Sequence, residues 1–267
     1  MELIHLTPLR LSLAAALVGL LALLSWLLHL GIGRRLLVAA ARSIIQLMLL
    51  GLVLKSVFAE TRPALLALIA LVMLAVAGHE VMARQQRRFR GWWGYGLGTS
   101  AMFISSFTIT LFALTLVIGV RPWYQPQYLI PLLGMLLGNT MTGIAIALDN
   151  LTRAAWAERA RIEARLILGH PWHQAIGTIR RDALRSGLIP IINAMTTAGI
   201  VSLPGMMTGQ ILAGSPPMEA ARYQLMILFL IAAGVGLGSL AAVVAGSRRL
   251  FDERERLRLD RLAPPRK

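Results

Sequence analysis

The chain has 267 residues, 27 Lys and Arg against 12 Asp and Glu, no cysteine, 57% hydrophobic residues and a mean hydropathy of +0.67. Soluble domains carry about 25% charged residues, and the 15% found here, with that hydropathy, excludes an ordinary water-soluble enzyme. The apolar content excludes disorder, and the lack of cysteine excludes a disulfide framework, thiolate metal sites and Cys nucleophiles. A charge of +15 raises nucleic acid as a partner, but 25 of the 27 basic residues are Arg set between long apolar runs. That is the pattern of basic residues kept in cytoplasmic loops, so no nucleic-acid partner is expected.

A spanning helix needs about 20 mostly apolar residues. Stretches at 9–30, 36–58, 64–83, 97–120, 129–150, 188–213 and 223–246 qualify, which predicts an all-α integral membrane protein with about seven transmembrane helices. The first stretch lacks a basic leader and a small-residue cleavage site, so it reads as a retained span. One polytopic membrane domain covers 1–267, with a polar segment at about 151–187 and a basic tail at 247–267.

Orientation follows from the basic residues. Arg34 and Arg35, the group Arg84 to Arg90, the group Arg153 to Arg185, and the tail from Arg248 to Lys267 place 21 of them on one side. Arg10, Arg62, Arg121 and Arg222 fall on the other, and Arg42 and Lys55 lie within the second span. This asymmetry predicts an outside N-terminus and a cytoplasmic C-terminus, in the inner (plasma) membrane. The outer loops at 60–63, 121–128 and 215–222 are short, so a soluble partner is expected to dock from inside.

Most polar residues gather in 151–187. The fifth span is predicted to continue as a helix to Leu168, where Gly169 and His170-Pro171 stop it, because Gly suits a helix end and Pro cannot continue one. A second short helix over 172–186 precedes the sixth span. The product is a cytoplasmic helix–turn–helix elbow rich in Arg. The tail after Ser247 carries both signs of charge. It could contact anionic lipid, but a solvated helical end is the plainer reading.

Within the elbow, Glu163-Ala164, Gly169 and Ile179 resemble the EAA loop of ABC-transporter permeases, although no Leu-Pro follows Ile179. Gly138-Asn139-Thr140-Met141-Thr142-Gly143 and the run Val201 to Gly214, with Ala41-Arg42-Ser43-Ile44-Ile45-Gln46-Leu47, are similar to the signatures of the Fet-type iron-export permeases. That bacterial family has plant relatives linked to aluminium tolerance. The resemblance spans about 34–246. It implies a permease subunit, acting as a homodimer in the lipid membrane, in metal homeostasis and oxidative-stress resistance. It also implies a coupling helix, at Glu163, Ala164, Gly169, His170, Pro171 and Ile179, that docks a cytoplasmic ABC ATPase. No cofactor is expected on this chain; ATP and magnesium belong to the partner. The lack of a G-x-x-x-x-G-K-[ST] loop agrees.

A translocation pathway is expected around Asn139 and Thr140 in the fifth span and Asn193, Pro204, Gly205, Met206, Met207 and Gln210 in the sixth. Pro204 and Gly205 interrupt a membrane helix, which is tolerated where protein or a water-filled cavity satisfies the freed backbone. The bland alternative is a packing kink through Gly205-x-x-x-Gly209. Amides and thioethers suit different ions, most methionines pack, and no metal ligand set is assigned. His79-Glu80 reads better as a structural site, with Glu80 four residues before Arg84. Arg42 and Gln46, one turn apart in the second span, also belong to the expected pathway. Arg42 is near enough to the cytoplasmic end to snorkel, but an interior Arg would attract an anion and repel a bare cation, which leaves an anionic or sugar-nucleotide cargo open beside iron. An intramembrane enzyme on lipid-linked substrates and an ATP-independent channel or carrier are the more distant alternatives.

Overall fold

The structure, a computed structural model, describes residues 7–59 and 62–265. Glu60 of the first outer loop, and Arg266 and Lys267 of the tail, lie outside the described residues. Among the described residues the regular elements are all helical, joined by turns, and β structure is limited to isolated single-residue bridges. Six continuous helices are long and apolar enough to cross a membrane.

The first of two compact units is a helical hairpin, α1 (Pro8–Leu27) and α2 (Gly33–Ala59). The hairpin turn is close. A Cβ on Gly33 would lie 3.0 Å from the Ala22 carbonyl oxygen, so that position keeps glycine. Most of the leucines of α1 and α2 are exposed, as expected of helices whose outer solvent is lipid.

The second unit holds α3 (Pro63–Arg84), α4 (Trp92–Met102), α5 (Thr108–Phe112), α6 (Pro126–Ala157), α7 (Arg159–Ile167), α8 (Trp172–Ala175), α9 (Gly177–Thr197), most of α10 (Gly205–Leu212), and α11 (Pro217–Arg249). The α4–α5 span contains two π-helical turns, Phe103–Phe107 and Ala113–Val117. Pro8, Pro63, Pro126 and Pro217 open α1, α3, α6 and α11 in the first turn, where the missing N–H costs nothing. At 32 and 33 residues, α6 and α11 exceed a bilayer's need. A rise of 1.5 Å per residue makes each about 50 Å long against about 30 Å of hydrocarbon.

The core forms where α6 meets α9, α11, α3 and α4. Between helices in lipid, small residues allow close backbone approach and replace the hydrophobic drive. A Cβ on Gly187 of α9 would stand 2.8 Å from the Gly143 carbonyl oxygen of α6, and one on Gly238 of α11 would stand 2.6 Å from Thr140 Cγ2. Leu136, Ile144, Leu148 and Leu151 fill the remaining volume as a buried face of α6.

Three expectations need correction. The sixth span is not one helix: α9 ends at Thr197, a turn follows, and α10 is a separate piece of eight residues. The helix predicted over 172–186 is only the four-residue α8. After a kink at Ile176, α9 runs unbroken from Gly177 into the membrane segment, carrying Pro190 within it. The tail does not continue as a solvated helix: beyond α11 it holds only a 3-10 turn, Leu259–Arg261, and it is not loose. Once α11 ends at Arg249, residues 88–90 pair antiparallel with 261–263, through Arg90 N–H to the Arg261 oxygen (2.9 Å) and Ala263 N–H to the Arg88 oxygen (2.8 Å).

Candidate functional site

The elbow is built on a local rule. α7 ends in a Schellman turn: Gly169 at φ +82° donates its N–H to Leu166 O (3.0 Å), and His170 donates to Arg165 O (3.1 Å). Pro171 then starts the next turn, since Gln174 and Ala175 donate to its carbonyl. Ile162, Ile176 and Ile179 anchor both arms at 1%, 0% and 5% exposure, while Ile167 and Leu168 at the tip are 85% and 77% exposed. Of the expected coupling residues, Glu163, Ala164, Gly169 and His170 are exposed around that tip, Pro171 is half-buried, and Ile179 is buried in the stem.

The tail fastens the elbow. Trp172 N–H donates to Glu255 Oε2 (3.1 Å), and the Trp172 ring lies 5.7 Å from that of Phe251. Asp252 accepts the Arg256 and Arg254 N–H groups, the former at 2.9 Å, and these with the Arg256 side chain hold its carboxyl below the ordinary range. Arg258 donates twice to Asp260 at 2.9 Å and pulls that carboxyl down to about 2. Sequence reasoning missed this fastening because its acids and arginines alternate without helical or strand period.

The second feature is the interruption between α9 and α10. Thr197 O gathers the N–H groups of Ile200, Val201 and Ser202 at 3.4, 3.0 and 3.1 Å, Gly199 sits at φ +80°, and Pro204, which has no N–H, provides the carbonyl for Thr208. The turn thus satisfies its own backbone, the condition for irregular chain at membrane depth.

Beside α10 lies a cavity of about 300 Å³ lined by Met135, Met206, Met226, Gln210, Tyr128 and Tyr223 among others. Gln210 Oε1 is buried there and finds no hydrogen-bond partner, which is costly unless something else supplies a donor or a cation. The thioethers suit a soft ion and the amide oxygen of Gln210 a harder one, and the lining offers no imidazole or carboxylate. Among the described residues no group of three or more His, Asp or Glu side chains could hold a metal.

The structure brings together only Met206 and Gln210 of the expected pathway residues. Pro204 and Gly205 start α10, Met207 does not line the cavity, and Asn193 is exposed on α9. Asn139 donates to Met135 O of its own helix (2.8 Å), and Thr140 is buried against Gly234 and Gly238 with its hydroxyl unpartnered. Arg42 and Gln46 are exposed on α2 of the first unit. His79 is exposed, and Arg84 donates to Thr142 Oγ1 at 3.3 Å. Met135, Met226, Tyr128 and Tyr223 were missed, although their spacing along α6 and α11 places them near the same helix ends.

Membrane-length helices, a broken helix beside a methionine-lined cavity and a projecting elbow define a multi-pass membrane protein. The chain belongs to the family described as "Uncharacterised protein family (UPF0014)", whose model matches residues 8–251. It is 40% identical over 243 residues to the UPF0014 membrane protein slr1647 of Synechocystis, covering 89% of this chain and 90% of that one. It is 32% identical over 260 residues to the probable iron export permease protein FetB of Escherichia coli, with 95% of each chain covered. It is also 32% identical over 230 residues to the Arabidopsis protein ALUMINUM SENSITIVE 3, covering 86% of this chain and 82% of that one. No solved structure matches the chain.

Proposed function

We propose that this chain is the permease subunit of an ATP-driven ABC exporter in the inner membrane, and that its cargo is iron or a related metal. Two copies act as a homodimer, and a cytoplasmic ATPase subunit docks on each elbow. The observation that carries this is the elbow tip. Ile167 and Leu168 are exposed at the end of a stem whose Ile162 and Ile176 are fully packed. Two apolar side chains held outward on an arginine-rich segment are a preformed knob for a cleft in another protein. The bias of the basic residues supports a cytoplasmic place for that knob, and the similarity to FetB supports metal export.

The mechanism follows the connectivity. α9 starts one residue after the buried Ile176, so a push on the elbow by closing ATPases moves α9 as a rod. The rod ends at the Gly199 turn, and α10, which carries Met206 and Gln210, lies beyond it. Displacing α10 opens or closes the methionine-lined cavity. A second cargo, an anionic or chelated species, is favoured by the absence of carboxylate in that cavity and by Arg42.

The test is ATP-dependent uptake of radiolabelled iron into inside-out vesicles that contain this chain and the ATPase. Uptake that needs both subunits and ATP is the expected result. Intact coupled ATPase activity without iron uptake discards iron and keeps the permease. ATPase activity indifferent to the chain overturns the permease.

A further inference from the structure

The ends of α4 and α11 enclose a basic pocket that the transport reading does not use. A cavity of about 220 Å³ is lined by Phe89, Arg90, Trp93, Arg249, Asp260 and Arg261. Arg90 and Asp260 also line a neighbouring cavity of about 440 Å³ that adds Arg87 and Arg159. The Arg249 guanidinium stacks 4.6 Å from the Trp93 ring centroid, and that of Arg87 stacks 4.0 Å from Trp156. Arg90 Nε is aimed by Leu262 O (3.1 Å), and Arg261 Nη1 by the Arg249 and Phe251 carbonyls (2.8 and 3.0 Å).

These bonds orient Arg90 and Arg261 through neutral carbonyls. None of Arg90, Arg249 and Arg261 forms an ion pair with a described carboxylate, so the single acid nearby, Asp260, offsets only part of their charge. Asp260, the one acid in the lining, is already held twice by Arg258 at 2.9 Å. Two guanidiniums aimed by carbonyls, those of Arg90 and Arg261, and one stacked on Trp93, that of Arg249, line a cavity with room for a phosphate group, a phosphate-binding arrangement.

The position names the source of the phosphate. Trp92 and Trp93, 85% and 52% exposed, open α4 where the chain turns from polar to apolar, as tryptophans at a membrane surface do. α11 makes the same change of character just before Arg249, and its Leu240 and Val244 are exposed apolar residues within the span.

We propose that this pocket binds the phosphate headgroup of an anionic phospholipid, held by Arg90, Arg249 and Arg261 beside Trp93, with the acyl chains along α4 and α11. Because residues 261–263 pair with 88–90 and Phe251 touches Trp172, the lipid also stabilises the tail that fastens the elbow.

The full chain in detergent is titrated with phosphatidylglycerol, phosphatidylcholine or inorganic phosphate, and thermal stability is followed. Phosphatidylglycerol alone is expected to raise the transition. The double variant Arg90→Gln with Arg249→Gln is expected to need roughly thirty-fold more of it, whereas Arg222→Gln at the far end of α11 responds as the parent does. Arg249→Lys, which keeps the charge but not the planar fork, is expected to fall between the parent and the double variant, and a lipid-free transition of the double variant equal to the parent's shows that the loss is not misfolding. Equal protection by both lipids, or an undiminished response in the double variant, overturns the site. Equal protection by inorganic phosphate alone overturns the lipid and leaves a free-anion site.

Discussion

The elbow between α7 and α8 and the interruption between α9 and α10 are written in the same local code but stand on different footings. Each has a glycine at positive φ, Gly169 at +82° and Gly199 at +80°, and a proline shortly after. At neither glycine would a Cβ meet anything within 4 Å, so the backbone conformation alone demands glycine. Their footing differs. Ile162 and Ile176 beside the elbow are 1% and 0% exposed, whereas Ile200 and Val201 in the α9–α10 turn are 88% and 79% exposed. On the proposed mechanism the turn with a buried stem transmits force, and the one held by its own backbone bonds yields.

The largest expected effect comes from breaking the first turn. Gly169→Pro fixes φ near −65° where +82° is required and removes the N–H that Leu166 O accepts. Stimulation of the partner ATPase in reconstituted vesicles is expected to vanish while the chain stays in the membrane in normal amount. Full transport by that variant would end the assignment of coupling to the elbow.

Removing the footing comes next. Ile176→Ala deletes a fully buried side chain and is expected to destabilise the chain by about 2–5 kcal/mol. Ile200→Ala in the exposed turn should stay within about 0.5 kcal/mol. Denaturant unfolding in detergent micelles measures both, and similar values would mean that the two turns do not differ in footing.

That difference was hidden in the sequence, as was the turn at Gly199 that ends α9, whereas the elbow turn and the break at Pro204-Gly205 were legible. Gly169-His170-Pro171 and Pro204-Gly205 are local signals, and local signals state where a helix stops. The continuous spans were legible for the same reason, since hydropathy over 20 residues needs no partner. What failed depended on contacts between distant residues. The tail was read as a solvated helix because its pairing with 88–90 joins segments about 170 residues apart. The methionine-lined cavity was half seen, through Met206 and Gln210, because Met135 and Met226 come from other helices. Thr140 and Asn139 stood out as polar groups in an apolar span, yet one packs against glycines and the other bonds its own helix.

A smaller effect separates strain from packing. Gly199→Ala meets no atom and incurs only the left-handed backbone, a loss of about 1–2 kcal/mol. Since Gly169→Ala carries the same cost at the elbow, the two variants should match in unfolding free energy and differ in ATPase coupling, where only the elbow variant is impaired. Equal coupling in both would place the yielding element elsewhere.

The smallest effect tests the fastening that the elbow has and the α9–α10 turn lacks. Asp260 is held at about 2 by its paired hydrogen bonds from Arg258, below its unfolded value of about 3.9. Asp252 is shifted in the same direction, first by the Arg256 N–H. A carboxylate with a depressed folded pKa stabilises the fold above its unfolded pKa, and that contribution is lost as pH falls through the folded value. The tail is therefore expected to stay closed near pH 4 and to open as pH approaches 2. Pepsin, active across that window, reads the opening at Leu257 and Leu259 when its rate is normalised to a free peptide of residues 250–265. Asp260→Asn removes the charged acceptor and should expose those bonds at pH 4 already. Normalised cleavage that is independent of pH in the parent chain would show that the carboxylates do not hold the tail. The elbow would then stand on its isoleucine stem alone.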